Sequence, residues 1–163
     1  MSLKRALRRS AKVYRRDESG AAAVEFALVA APFILILLAT LQIGLFYLAQ
    51  SALDAGVIKT ADALRTNFSL ANPATSPDAA TLKDNVKSNA GPFAKNASQL
   101  AVEIRPVTGL AAASVPVTDG TADYGTTTSI LVLRAVASVP VLWPGLSQVF
   151  QARASAIVRR QGR

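Results

Sequence analysis

The 163-residue chain contains no histidine and no cysteine. That removes imidazole acid–base work, thiol nucleophiles, disulfides and cysteine or histidine metal sites, and leaves carboxylates, hydroxyls and cations to carry any chemistry. No glycine-rich phosphate loop and no convergent acid pair outside a turn is visible, so no enzymatic activity and no cofactor is expected. Asp119-Gly120-Thr121-Ala122-Asp123 places two carboxylates in a loop that could attract calcium, but a plain polar turn explains the pattern better and no metal is assigned. The carboxylate in the most unusual setting is Glu25, the one charge between Gly20 and Ala49. A charge at the centre of a bilayer costs about 2.5 to 3.5 kcal/mol on insertion scales and less near the end of a span, so Glu25 calls for a cationic partner or a route to water.

The element that holds Glu25 is a long apolar helix. Phe26 to Leu48 is an unbroken apolar run in which Gln42 is the only strongly polar side chain. At about 1.5 Å per residue it exceeds the roughly 20 residues that a membrane span needs. A cleavable secretory signal would be shorter and nearer the terminus. Pro32 lies inside the run; it removes one backbone hydrogen bond and is expected to kink the helix, although membrane helices also tolerate proline without consequence. Gly44, Ala39 and Thr40 are small enough for close helix packing, but no Gly-x-x-x-Gly pair is present.

Upstream, Lys4, Arg5, Arg8, Arg9, Lys12, Arg15 and Arg16 give seven positive charges against Asp17 and Glu18. The positive-inside rule then keeps this end in the cytoplasm and sends everything after the span outward. Of the net charge of +8, this arm carries +5. The basicity therefore reports membrane orientation and anionic headgroups, and nucleic acid is not an expected partner.

Beyond the span, Leu53, Val57, Ala61, Leu64 and Phe68 recur at helical spacing while Asp54, Lys59, Asp62 and Arg65 fall off the stripe. This predicts an amphipathic continuation of the same helix to near Thr66, a rod of about 45 residues and roughly 70 Å. Asn67 to Pro77 reads as a linker. Ser76-Pro77-Asp78 has the form of an N-cap with proline at the first helical position, opening a short helix with Leu82, Val86 and Ala90 on one side that Gly91-Pro92 stops.

From Leu100 the period becomes two. Leu100, Val102 and Ile104 alternate with Ala101, Glu103 and Arg105 as in a half-buried strand ended by Pro106, and Val115-Pro116-Val117 is expected as an edge strand. Asp119-Gly120 and Tyr124-Gly125 read as turns. Thr127 to Val139 is apolar on both faces, which suggests a central strand, and Phe150 to Val158 alternates as a one-sided final strand. Trp143, between Pro140 and Pro144, is expected as a core or subunit-contact aromatic. The sum is an α+β plan: a long N-terminal helix, a short helix and a three- or four-stranded antiparallel sheet, pilin-like in outline.

The stretch from Arg15 to Phe26, with Gly20, then Ala21, then Glu25-Phe26 opening the apolar run that contains Pro32, resembles a prepilin processing site. Gly-x-x-x-x-Glu-Phe ahead of such a helix looks like the TadE family of minor pilins in tight-adherence pilus systems. The apolar strand, Pro-Val-Leu-Trp-Pro-Gly-Leu loop and alternating strand ending Arg159-Arg160 resemble that family's tail more loosely. The resemblance implies cleavage between Gly20 and Ala21 by a membrane prepilin peptidase. It also implies that Ala21 becomes a new amino terminus, and that Glu25 pairs with a neighbouring subunit's amine and sets axial register. The implied partners are that peptidase, other pilin and pseudopilin subunits, the assembly platform and the membrane. An Asp-x-Ser-x-Ser adhesion signature is absent from the sequence.

On this reading the segments are 1-20 basic leader, 21-48 transmembrane helix, 49-67 amphipathic extension, 68-99 linker and short helix, and 100-163 β-sheet domain. The alternative keeps the same topology without processing, as a membrane-anchored extracytoplasmic binding module.

Overall fold

The structure is a computed structural model and describes residues 18–67, 76–95, 99–107, 109, 115–125, 130–142 and 150–159. Helix α1 (Glu18–Asn67) is followed by α2 (Ala79–Asn89), the short α3 (Gly91–Lys95), and strands β1 (Leu100–Pro106), β2 (Thr121–Ala122), β3 (Ile130–Ser138) and β4 (Gln151–Arg159). The chain divides into two units, Met1–Leu41 and Gln42–Arg163.

The described part of the first unit is the apolar half of α1. Its large side chains, among them Phe26, Leu28, Phe33, Ile36 and Leu41, are exposed around the whole circumference, which suits a helix surrounded by hydrocarbon rather than a soluble core helix. α1 is the one helix among the described residues that is long and apolar enough to cross a membrane, with a mean hydropathy of 2.4 in its most apolar window. It continues through Pro32 as helix, and there the Leu28 carbonyl lacks the usual backbone donor.

In the second unit α1 becomes one-sided. Leu53, Val57, Ala61 and Leu64 are buried, and Leu82 and Val86 of α2 join them against one face of the sheet. That face is supplied by Leu100, Val102 and Ile104 of β1, Leu131, Leu133, Ala135 and Ala137 of β3, and Ala152, Ala154 and Val158 of β4. Each large aliphatic side chain so buried contributes about 1.5–3 kcal/mol of transfer free energy. The expected stripe and strand faces are thus observed; Phe68 and Trp143 lie outside the described residues.

The sheet order is β2-β1-β3-β4. β3 is central and antiparallel to β1 and β4, but β2 runs parallel to β1, so the sheet is mixed. The segment 107–120 is long enough to return the chain to the start of β1's outer edge, which a tight hairpin cannot do. The second strand is at Thr121–Ala122 and not at Val115-Pro116-Val117, because Pro116 has no donor for a ladder and that segment is held by side chains instead. Likewise the cap of α2 is Asp78 and not Ser76: Asp78 Oδ1 accepts from the Thr81 amide at 2.9 Å, with Pro77 preceding the cap. This bond also holds the Asp78 carboxyl below its ordinary value.

α1 and the end of α2 meet at Gly56. A Cβ placed there would lie 2.5 Å from the Ala90 Cβ and 2.9 Å from the Ala90 backbone nitrogen, so the crossing depends on the missing side chain. Thr60, one turn on and fully buried, donates to the Gly56 carbonyl at 2.8 Å and accepts from Asn89 Nδ2 at 3.2 Å. Although alanine is the better helix former, Gly56→Ala is expected to lower stability by about 1–3 kcal/mol, because backbone on the other side cannot yield as a side-chain tip would. Thermal unfolding followed by circular dichroism measures this, and an unchanged or raised midpoint would contradict the tight crossing.

Candidate functional site

The residues singled out by the expected processing motif lie on the first three turns of α1. Gly20 is exposed and helical, with no positive φ, and a Cβ built on it meets nothing within 4 Å. Glycine in a helix costs about 1 kcal/mol relative to alanine, and here neither backbone angle nor packing demands it. Its presence is unexplained by the fold. Ala21 follows on the same exposed surface, and Glu25 and Phe26 are exposed as well. Glu25 makes no ion pair among the described residues. The arrangement presents a small-residue peptide bond, a carboxylate one turn further on and an apolar helix beyond, all open to partners from outside the chain.

A second polar centre was invisible to strand alternation. Glu103 on β1 stands directly across from Arg134 on β3, on the sheet face away from the helices, and is fully buried. Glu103 Oε1 accepts from Arg134 Nε at 2.6 Å and from Arg134 Nη2; Oε2 accepts from the Thr118 amide at 2.7 Å and from Arg105 Nη2 at 3.0 Å. Arg134 Nη1 donates to the Val115 carbonyl at 2.8 Å. Burial alone would raise the Glu103 carboxyl, but the Thr118 amide and the two guanidinium groups outweigh it and hold the group below its ordinary value. The pair therefore straps residues 115–118 across the outer face of the sheet. The signal for it in the sequence is one acid and two bases, Glu103 and Arg105 on β1 and Arg134 on β3, in otherwise largely apolar strands, and the pairing register is needed to bring Glu103 and Arg134 together.

The two carboxylates weighed for calcium are turned to separate duties. Asp119 accepts from the Val102 amide at 3.1 Å and from Lys83 Nζ at 2.6 Å, so it closes part of the β1 edge and is held below its ordinary value by the lysine. Asp123 accepts from the Gly125 amide at 2.9 Å. Among the described residues no three acidic side chains converge on a metal site. Tyr124 donates to the Pro77 carbonyl at 2.6 Å, and burial, aided by the negative charge of Asp78, pushes its hydroxyl well above the usual tyrosine range. Beside the strap, Lys87, Val136, Gln151, Arg153 and Ser155 line an open groove of about 950 Å³ with a basic rim.

The edge strand β4 is covered from α1. Gln50 donates to the Arg153 carbonyl at 2.8 Å and accepts from the Arg153 amide at 3.1 Å, and Arg65 donates to the Ile157 carbonyl. The free edge of β4 is thus partly occupied by side chains, which discourages unspecific strand pairing.

No curated protein and no solved structure matches the chain. A family model described as TadE-like protein matches residues 20–62, beginning at the glycine of the processing motif and ending on the amphipathic part of α1. Over residues 20–62 the chain is thus similar to the TadE-like family, the family whose span its apolar helix resembles.

Proposed function

We propose that the chain is a minor pilin, or pseudopilin, required for assembly of a tight-adherence type IV pilus. In this reading a prepilin peptidase cuts after Gly20, and the mature protein begins at Ala21. It stays in the bacterial inner membrane as a single-pass protein, with the basic N-terminal side cytoplasmic, residues 21-48 spanning and the remainder outside. Its partners are the peptidase, other pilin and pseudopilin subunits and the assembly platform; Glu25 and Phe26 contribute to subunit register, and Pro32 to the shape of the span.

The observation that carries the proposal is Gly20. It opens the family match, follows the basic arm, precedes Glu25-Phe26 at the motif's spacing, and serves no need of the helix that contains it. A residue that the fold would gladly exchange for alanine is explained by an enzyme that reads it.

The test is the N-terminal sequence and intact mass of the protein purified from its native membrane. The expected product starts at Ala21, and Gly20→Ala should leave the leader attached. An intact leader in the wild-type protein despite an active peptidase, or normal trimming of the variant, would instead support the unprocessed anchored module.

A further inference from the structure

In the second unit, the last two turns of the apolar run are packed on one side and bare on the other. Gln42 is only 9% exposed. Its amide donates to the Pro140 carbonyl at 3.2 Å and accepts from the Leu142 amide at 2.9 Å, so both of its ends are spent on the loop that follows β3. Phe46 stacks edge-on with Phe150, and Val139 is buried beside them. On the other side of the same turns Ile43, Tyr47 and Leu48 are exposed, and no charged residue occurs on α1 between Glu25 and Asp54. Leu142, next to the Gln42 bond, is 50% exposed.

The length of the run fixes what surrounds these residues. A hydrocarbon layer of about 30 Å takes about 20 helical residues. If it starts at Ala21 it ends near Thr40; if it starts at Phe26 it ends near Leu45. Gln42 then lies about 3 Å beyond the hydrocarbon in the first register and about 4–5 Å inside it in the second, so its level is that of the outer boundary. Irregular backbone is tolerated at that depth only when its polar groups are satisfied. Gln42 does this for two of the loop's groups, the Pro140 carbonyl and the Leu142 amide, and Pro140 itself has no amide hydrogen to satisfy. Tyr47, with an apolar ring and a polar tip, suits the interfacial belt.

We infer that the base of the outer domain, formed by Pro140 to Leu142 together with Ile43 and Tyr47, is seated in the outer interface of the same bilayer that α1 spans. The occupant of this apolar patch is lipid, argued from its continuity with the apolar run of α1. Gln42 is the internal bond that lets a loop enter there. The inference rests on α1 being a membrane span.

The absence of native cysteine allows single-site labelling. Full-length variants carrying Leu142→Cys, Pro140→Cys, Ile36→Cys or Asp84→Cys are labelled with an environment-sensitive fluorophore and placed in phosphatidylethanolamine–phosphatidylglycerol vesicles, with or without brominated phosphatidylcholine. The label at 142 is expected to show at least about half the bromolipid quenching of the label at 36, the label at 140 to follow it, and the label at 84 on α2 to show almost none. Quenching at 36 with labels at 140 and 142 as unquenched as at 84 would overturn the seating while leaving the span intact, and shielding of 142 by a second copy would read the same way. Absence of quenching at 36 would remove the span and this inference together.

Discussion

Replacing Glu103 by alanine is expected to destabilise the second unit by about 3–5 kcal/mol, the cost typical of leaving one partner of a buried ion pair uncompensated. Arg134 would stay among β1, β3 and the strap with its Nε and Nη2 donors directed at a cavity, and the Thr118 amide and Arg105 would lose their acceptor too. Because domains of this size are stable by only about 5–15 kcal/mol in total, the loss should appear as a large fall in the thermal midpoint of the detergent-solubilised protein. Glu103→Gln keeps an acceptor and should cost less. Glu103→Leu combined with Arg134→Met removes both charges at similar volume and should recover much of the loss. A midpoint for Glu103→Ala within a degree or two of wild type would show that the pair does not hold the strap.

The same group gives the wild type an acid-sensitive component with a defined sign. The Glu103 carboxyl is held below its ordinary value in the folded state, so the unfolded chain binds the proton more readily. Its stabilising contribution is full above the unfolded value of about 4.3 and is lost as pH falls through the lower folded value. Asp78 and Asp119 are lowered as well, so the slope of stability below about pH 5 should shrink in Glu103→Gln without vanishing.

The parts of the fold that follow from periodicity were legible in the sequence. Leu53, Val57, Ala61 and Leu64 mark the buried stripe of α1, the two-sided apolarity around Leu131 to Ala137 marks the centre of the sheet, and the alternation through Val158 marks its one-sided edge. What stayed hidden depends on partners distant in sequence. Alternation places Glu103 on the water side of β1, and only the register against Arg134 together with the strap at 115–118 makes that side dry. Gln42 and Gln50 look like stray polar residues in or near a span until Pro140, Leu142 and Arg153 arrive about a hundred residues later to use both ends of each amide. β2 is defined by its parallel pairing with Glu103 and Ile104 of β1, and no local pattern in Thr121-Ala122 announces a strand. The span itself was legible for the opposite reason: it lies along consecutive residues and needs no tertiary partner.

Glu25→Leu is expected to separate membrane insertion from assembly. Removing a carboxylate from the apolar helix cannot make insertion less favourable, so the variant should reach the membrane in at least wild-type amount. In the proposed function, trimming after Gly20 would leave a free amine on Ala21, one helical turn before Glu25, and in a bundle of mature subunits the amine of one chain would neutralise the carboxylate of another in surroundings where either charge alone is costly. Leucine leaves that amine unmatched and removes the register that the pair sets. Pili visible by electron microscopy should therefore fall to near background, while the processed variant remains in the membrane fraction at its normal mass. Because Glu25 is exposed and has no ion-pair partner among the described residues, the fold of residues 42–163 should be unaffected, and its thermal midpoint should stay at the wild-type value. Wild-type piliation in Glu25→Leu would refute the pairing. Loss of piliation accompanied by a lowered midpoint or by loss of processing would assign the defect to folding or to the peptidase, because register between subunits requires neither to change.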